Sequence, residues 1–365
     1  MKSAFLGLVV LHGLIHFMGP AKAFGLAELP QLSQPISRHV GIAWLVAGLA
    51  FLGIAAQLVW APRWWWVTAL PAVALSQGVI LTAWSDAKFG TLANVVVLAA
   101  ALYGMASQGP WSFRSAYETQ VERRSDDPPS SMPVLTEGDL ADLPDPIARY
   151  VRASGALGRP RPWRLHARWT GRIRGSLDEE WMSFSAEQHN FLLEPSRFFL
   201  MDARRARLPV DVYHDFEDGR ARMRVRLLSL LPLVNARGPE MDRAETVTLF
   251  NDVALLAPGG LVDQRIEWEA IDARTARGTF TLGSHAVSAV LHVSDEGDLV
   301  DFVSDDRLAA SADGESFEPR RWSTPVSDHQ VLHGLRVLRR AEGRWHPDGA
   351  PDFAYVELEL VELSH

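Results

Sequence analysis

The chain has no cysteine, and beyond Lys88 it has no lysine. The first absence excludes a disulfide-stapled secreted domain and thiolate metal sites. The second leaves every later basic residue an arginine, a side chain that holds its charge at all physiological pH. Acid is scarce at one end: up to Pro110 there are only Glu28 and Asp86, against Lys2, Lys22, Arg38, Arg63 and Lys88. The remainder holds 31 basic and 42 acidic residues, so the net charge is about +3 in front and about −11 behind. An acidic polar part argues against a nucleic-acid partner. Also missing are GxSxG, HExxH, a P-loop and a GxGxxG after a strand, so no familiar catalytic signature is present.

What is abundant in front is apolar sequence. Four runs precede Trp111: Ala4 to Gly19, Val40 to Trp60, Trp64 to Trp84, and Leu92 to Ala106. A bilayer core takes about 20 helical residues, within about 17–25. The second and third runs meet that length, and the first and fourth reach it with their flanks. The n-region of the first run is only Met1 and Lys2 and no clean small-x-small site ends it, so it reads as a retained helix rather than a cleaved signal. Trp60, Trp64, Trp65, Trp66, Trp84 and Trp111 mark interfaces, where an indole ring is buried and its N–H stays wet. Pro62 and Arg63 make the turn between the second and third runs, and Pro71 should kink the third. With Met1 inside, five basic residues (Lys2, Arg63, Arg114, Arg123, Arg124) lie inside and three (Lys22, Arg38, Lys88) outside. That count favours a multi-pass protein of the cell membrane with a cytoplasmic C-terminal domain.

Polar residues inside such runs are expensive in lipid and face the bundle interior. His12 and His16 are four apart and share one helix face. Gln57, Ser76, Gln77 and Asn94 lie in the other runs, and His39 opens the second. One reading is a metal, haem or quinone site built on His12, His16 and His39, as in a membrane oxidoreductase. The other is hydrogen bonding between helices, worth about 0.6–2 kcal/mol per contact. Two histidines on one helix cannot ligate opposite faces of one haem, and the runs supply no Cys or Glu. No cofactor is implied.

Ser125 to Glu137 is rich in Pro and Ser and reads as a linker. The division is 1–110 transmembrane, 111–139 linker and 140–365 soluble. Asp145-Pro146 should start a short amphipathic helix that Gly155 ends. After Pro162 the hydrophobic period becomes two. Trp163, Leu165, Ala167 and Trp169 alternate with polar residues, as do Ala221, Met223, Val225 and Leu227, and Val356, Leu358 and Leu360. Strands are expected also near 181–192, 197–202, 209–216, 264–271, 275–282, 285–293 and 298–305, with Asp-Gly turns between several. One helix, Arg243 to Leu256 capped by Asp242, interrupts them. The expected fold is a four-helix membrane segment plus an α+β soluble domain, a mainly antiparallel β half-barrel of about ten strands.

The segments AEQHNFLLEP, VDVYHDFEDGRARMRVRLLSLLPLVNARGPEMDRAE and LVDFVSDDR resemble the uncharacterised bacterial DUF6544 family, formerly DUF6920. The likeness runs over about 140 to 310, and LHGLIHFMGPAKAFGL and SDAKFGTLAN resemble the membrane segment of some members. The resemblance implies no catalytic residues. The strand-rich layout is similar to the half-barrel lipoprotein carriers of the LolA and LppX type, an analogy of fold alone.

Acids and histidines pair up along strands: Glu187 with His189, Asp211 with Tyr213 and Asp215, Asp305 with Asp306 and Arg307, and Glu240 with Asp242 at a helix start. They could serve acid–base chemistry or a metal, or simply be solvated faces. Arg220, Arg222, Arg224 and Arg226 share one strand face, suited to anionic lipid headgroups or to cross-strand acids. Large apolar residues share the opposite faces. Ten strands should present more apolar surface than two or three short helices can cover, leaving a groove for a ligand. Trp163, Trp169, Phe184, Met223 and Leu227 are its expected lining. The expectation is non-catalytic binding of a lipid or other hydrophobic ligand beside the membrane, with membrane lipids and that ligand as partners. An anchored scaffold or regulator is the other possibility.

Overall fold

A computed structural model describes residues 2–126 and 128–365. The chain forms two compact units, Met1–Ser115 and Ala116–His365. The first is helical: α1 (Lys2–Ile15), α2 (Met18–Ala23), α3 (Arg38–Trp60), α4 (Trp65–Thr82), α5 (Trp84–Ala87) and α6 (Gly90–Gln108). Four helical stretches, Lys2–Ala23, Arg38–Trp60, Trp65–Thr82 and one beginning at Gly90, are long and apolar enough to cross a membrane. The Ser37 hydroxyl caps α3 by accepting from the Val40 N–H at 3.4 Å. Glycine sets the spacing of α1 and α3. A Cβ on Gly48 would lie 3.0 Å from the Gly13 carbonyl oxygen and 3.2 Å from the His16 Cβ. Without side chains there, the two backbones approach and His16 is pressed into the bundle.

In the stretch 111–139, expected as a linker, residues Phe113–Ser125 form helix α7. From Tyr117 on it lies along the outer face of the second unit. The Tyr117 hydroxyl bonds His189 Nδ1 at 2.6 Å, the Tyr213 hydroxyl donates to Gln120, and Arg123 and Arg124 clasp Glu217 at 2.6 and 2.7 Å. Helix α8 (Asp145–Ala153) follows, its strongly apolar face buried and its end marked by Gly155 at φ 75°.

Among the described residues, sixteen strands, one long helix and two short 3-10 helices (Glu137–Leu140 and Pro258–Val262) make the rest of the second unit. They are β1 (Arg164–Ile173), β2 (Met182–Phe191), β3 (Ser196–Arg205), β4 (Leu208–Glu217), β5 (Arg220–Leu227) and β6 (Leu231–Arg237), then helix α9 (Pro239–Leu256). After it come β7 (Ile266–Ala270), β8 (Thr275–Leu282), β9 (His285–Val293), β10 (Leu299–Ser304), β11 (Leu308–Ala310), β12 (Phe317–Pro319), β13 (Arg321–Ser323), β14 (Val326–Leu332), β15 (Leu335–His346) and β16 (Phe353–Ser364). One antiparallel sheet runs β6-β5-β4-β3-β2-β1-β16-β15-β13-β10-β9-β8-β7, with β14 on β15, and it does not close. β11 and β12 form a separate pair. Strand β1 holds its expected alternation: Leu165, Ala167 and Trp169 are buried between exposed or half-buried neighbours.

The inner face of the sheet is not left open. Helix α9 touches β5 and β6 at one edge and β9 and β10 toward the other, so the sheet curls round it. Fourteen of its eighteen residues are buried. It starts at Pro239 rather than at Arg243, and Asp242 does not cap it but accepts from the Ala221 N–H at 2.6 Å. The short covering helix of the sequence reading is thus a full turn longer and, from Ala244 to Leu256, enclosed. Trp169 and Phe184 are buried in the core around it, and Met223 and Leu227 pack against that core.

Candidate functional site

Three places concentrate polar or ligand-accessible groups. The first lies within the helical unit. His16 Nδ1 donates to the His12 carbonyl at 2.8 Å, and its Nε2 is 2.9 Å from Ser76 Oγ. His12 Nε2 donates to Asn94 Oδ1 at 2.9 Å, and Ser76 Oγ lies 3.0 Å from the same oxygen. Asn94 Nδ2 then donates to Gln77 Oε1 at 3.0 Å, and Gln77 Nε2 to Thr91 Oγ1 at 3.1 Å. His12, His16, Ser76 and Asn94 are all buried. Of the expected cluster, His12, His16, Gln77 and Asn94 come together. His39 is exposed at the start of α3, and Gln57 bonds Thr68 instead. Among the described residues no three His, Cys, Asp or Glu side chains converge as metal ligands. Ser76 is the hub, with one hydroxyl proton and three polar neighbours. The carbonyl of His12 fixes a proton on His16 Nδ1, so a neutral His16 ring can only accept from Ser76. A second proton on that ring would reverse the bond in place.

The second is an ion set between α9 and β2–β4. Asp252 Oδ2 accepts from Arg197 Nε at 2.7 Å, Gln188 Nε2 at 2.7 Å and Asn190 Nδ2 at 2.9 Å. Arg197 also reaches Glu245 at 3.1 Å, and His214 Nδ1 donates to Glu245 at 3.2 Å. Burial pushes both carboxyls up. At Glu245 the charges of Arg197 and His214 outweigh it and hold the group at about 2. At Asp252 burial prevails and the carboxyl stays above its ordinary range. Gln188 in turn accepts from Trp169 Nε1 at 3.0 Å. Each polar group has a partner, so the set fixes α9 to the sheet and exposes nothing to a substrate.

The third is open. Two adjoining clefts of about 360 and 290 Å³ share Met132, Arg161, Pro162 and Gly259. One runs past Leu135, Pro160, Trp163 and Pro258. The other is floored by Leu249, Phe250 and Val253 of α9 and flanked by Leu192, Ile266 and Phe280. The walls are apolar, and the cations at them differ in how they are held. Arg265 pairs with Asp263. Arg161 Nη2 reaches Asp139 at 2.6 Å, while its buried Nε has no hydrogen-bond partner. Arg159 donates only to the carbonyls of Gly155 and His333, each at 3.0 Å, and no carboxylate pairs with it among the described residues. Arg159 and Arg161 were not singled out in the sequence. Their signal is the run Gly158-Arg-Pro-Arg-Pro162, where two prolines hold the backbone of neighbouring arginines rigid just before β1.

Of the five residues expected to line a groove, Trp163 lines the cleft; the other four lie in or against the core. The arginine row of β5 faces acids of β4 in register: Arg220 opposite Glu217, Arg222 opposite Asp215, and Arg226 opposite Asp211. Arg224 reaches Asp215 at 2.7 Å. The row is therefore substantially neutralised. The acid–base candidates are likewise engaged. Glu187 meets His166 at 3.2 Å, Asp305 meets Arg321 at 2.7 Å, Asp306 meets Arg243, and Arg307 stacks on Trp322.

Among curated proteins none matches the chain. The model of a family of unknown function, DUF6544, matches residues 133–358, which take in α8, all of β1 to β15 and both clefts' walls from Pro133 to Leu335. The match covers more than half of the sequence, and the chain belongs to the DUF6544 family.

Proposed function

We propose that the protein is an integral membrane protein whose β unit binds an amphiphile, an apolar body with an anionic head, beside the bilayer and without catalysis. The observation that carries this reading is the paired cleft with Arg159 and Arg161 on its wall. Its volumes of about 360 and 290 Å³ suit a small or elongated ligand, for which sites of about 300–1,000 Å³ are usual. Apolar walls favour an acyl chain. An arginine without a carboxylate, next to a buried guanidinium N–H without a partner, favours a carboxylate or phosphate head. The four apolar helices supply the anchor, which keeps the cleft at high effective concentration near lipid. The ligand site is thus the cleft at the C-terminal half of α9 and not the inner face of the sheet, which α9 fills.

The test is a titration of the full chain in detergent with a fluorescent fatty acid, dansyl-undecanoic acid, and with its methyl ester. Saturable binding of the acid is expected, weaker by about tenfold or more for the ester and for Arg159→Gln, since a charge-assisted hydrogen bond contributes about 1.5–3 kcal/mol. Equal, unsaturable uptake of acid and ester by both proteins would remove the reading.

A further inference from the structure

The β unit carries a second feature at the tips of two adjacent hairpins. The β3–β4 turn and the β5–β6 turn lie side by side, because Val210 pairs with Leu227 and the Leu228 N–H donates to the Pro209 carbonyl at 2.9 Å. Three leucines at the second tip face solvent: Leu230 and Leu231 at 55% and Leu233 at 50% exposure. The first tip adds exposed Arg204, Arg205 and Arg207, for which no ion pair occurs among the described residues. Neither turn contains an acid, although the polar part of the chain is acidic overall.

The backbone at these tips is unusual as well. Ala206 and Arg207 have φ of 47° and 71°, and Leu228 and Ser229 have φ of 55° and 59°. Tight hairpin turns of this kind favour Asn and Gly, because side chains crowd the left-handed region, and a leucine there is a clear outlier. At the first tip the strain is kept in favour of an exposed arginine, Arg207, which points to use of that side chain. The placement of the tips is consistent with one use. Within the unit, α7 runs from Tyr117, beside His189 and Tyr213, to Arg124, beside Glu217. The tips lie at the other end of β4, about 16 Å beyond Tyr213 at 3.3 Å per residue. The contacts of α7 thus fall on the other part of β4 and leave the tips uncovered.

We propose that the β3–β4 and β5–β6 hairpin tips dock on an anionic bilayer surface, the leucines entering the acyl boundary and the three arginines meeting headgroup phosphates. Single leucines on a surface mean little, but a contiguous apolar tip rimmed by cations of one sign is the pattern of an interfacial membrane contact. The arginine row of β5 is a poorer candidate for this contact because the acids of β4 already oppose it. This docking stands apart from occupancy of the cleft.

The absence of cysteine allows a single label. The full chain would carry an environment-sensitive nitrobenzoxadiazole dye at Leu231→Cys, or at the 63% exposed Val331→Cys as control. Each would be reconstituted in phosphatidylcholine vesicles with or without phosphatidylglycerol, some lipids bearing brominated acyl chains. The expected result is a blue-shifted, bromolipid-quenched label at Leu231→Cys in anionic vesicles, with quenching at least halved when Arg204, Arg205 and Arg207 are all replaced by Gln. The Val331→Cys label should stay unquenched. A Leu231→Cys label that behaves like the control, or whose quenching ignores phosphatidylglycerol, would overturn the proposal. So would a blue shift that grows with protein density without bromolipid quenching, which would mean a second copy covers the tips.

Discussion

Arg197→Met is the most informative change to the ion set that holds α9. Arg197 is 6% exposed and bridges Asp252 at 2.7 Å and Glu245 at 3.1 Å. Removing it leaves two carboxylates buried without their main counter-charge. Breaking a buried pair from one side costs about 3–5 kcal/mol. Asp252 keeps its bonds from Gln188 and Asn190, and Glu245 keeps His214, so the lower half of that range is expected. The loss should depend on pH. In the native protein Glu245 is held at about 2, so it stays ionised through the neutral range. In the variant, burial without Arg197 raises both carboxyls, and the folded state then binds protons that the unfolded chain does not. Stability of the variant relative to the parent therefore recovers as pH falls from 8 to 5, by at most about 1.4 kcal/mol per pH unit for each proton. Neutralising all three positions (Arg197→Met, Glu245→Gln, Asp252→Asn) should restore most of the loss. Denaturant unfolding of the full chain in mild detergent, followed by tryptophan fluorescence, reads these differences. A single variant within 1 kcal/mol of the parent, or a triple variant no better than the single, would refute the reasoning.

Three further outcomes are expected. Ser76→Ala removes the hub of the intramembrane bonds and should lower the stability of the helical unit by about 0.6–2 kcal/mol, read by thermal unfolding in detergent; no change would show that His12 and His16 find other partners. Burial, with His166 stacked 4.3 Å away, brings His189 down to about 4, so the folded state binds fewer protons than the unfolded chain between pH 4 and 6.5. Its contribution is complete above pH 6.5 and falls as pH drops toward 4, by about 1–3 kcal/mol, and His189→Gln should abolish that part of the pH dependence of unfolding. Asp301, pushed up to about 6 by burial, acts in the opposite sense over the same range, which is why the difference between parent and variant is the quantity to compare. A green fluorescent protein fused after His365 should fluoresce and alkaline phosphatase there should be inactive, as the five-to-three charge count requires; an active phosphatase would reverse the orientation.

The sheet was readable where its strands alternate. β5, β8 and β9 coincide with the expected strands, and β1 begins one residue inside its period-two run and extends three beyond it. β6 was missed because Leu231-Pro-Leu-Val has no alternation and a proline, features that an edge strand tolerates. β14 and β15 were missed because their two-residue turn is His333-Gly334 inside an arginine-rich stretch, without the usual Asn or Asp. α9 was underestimated for a physical reason. A helix buried all round has no polar stripe, and the sequence carries no signal that Glu245 and Asp252 point inward. That misreading left the inner face open in the sequence and put the ligand residues in the core. In the helical unit, the four-residue spacing of His12 and His16 was sufficient to place them on one face. Depth was not readable: His39 and Gln57 have the right chemistry, but one is exposed and the other bonds Thr68. The cleft depends on segments far apart in sequence, residues 129–135, 159–163, 192–195 and 258–266, and no local pattern brings these together.

The most direct test of the central claim is native mass spectrometry of the full chain released from detergent, with identification of what it carries. Gly259 lines both clefts, and a Cβ there would make only ordinary contacts, 3.4 Å to Ala156 and Pro162. Gly259→Leu should therefore fold and fill the space with its own side chain. The parent should retain about one equivalent of an anionic amphiphile, and Gly259→Leu should be empty at the same unfolding temperature. A parent that carries nothing above detergent background, or a Gly259→Leu variant that carries the same amphiphile, would contradict a ligand site in this cleft.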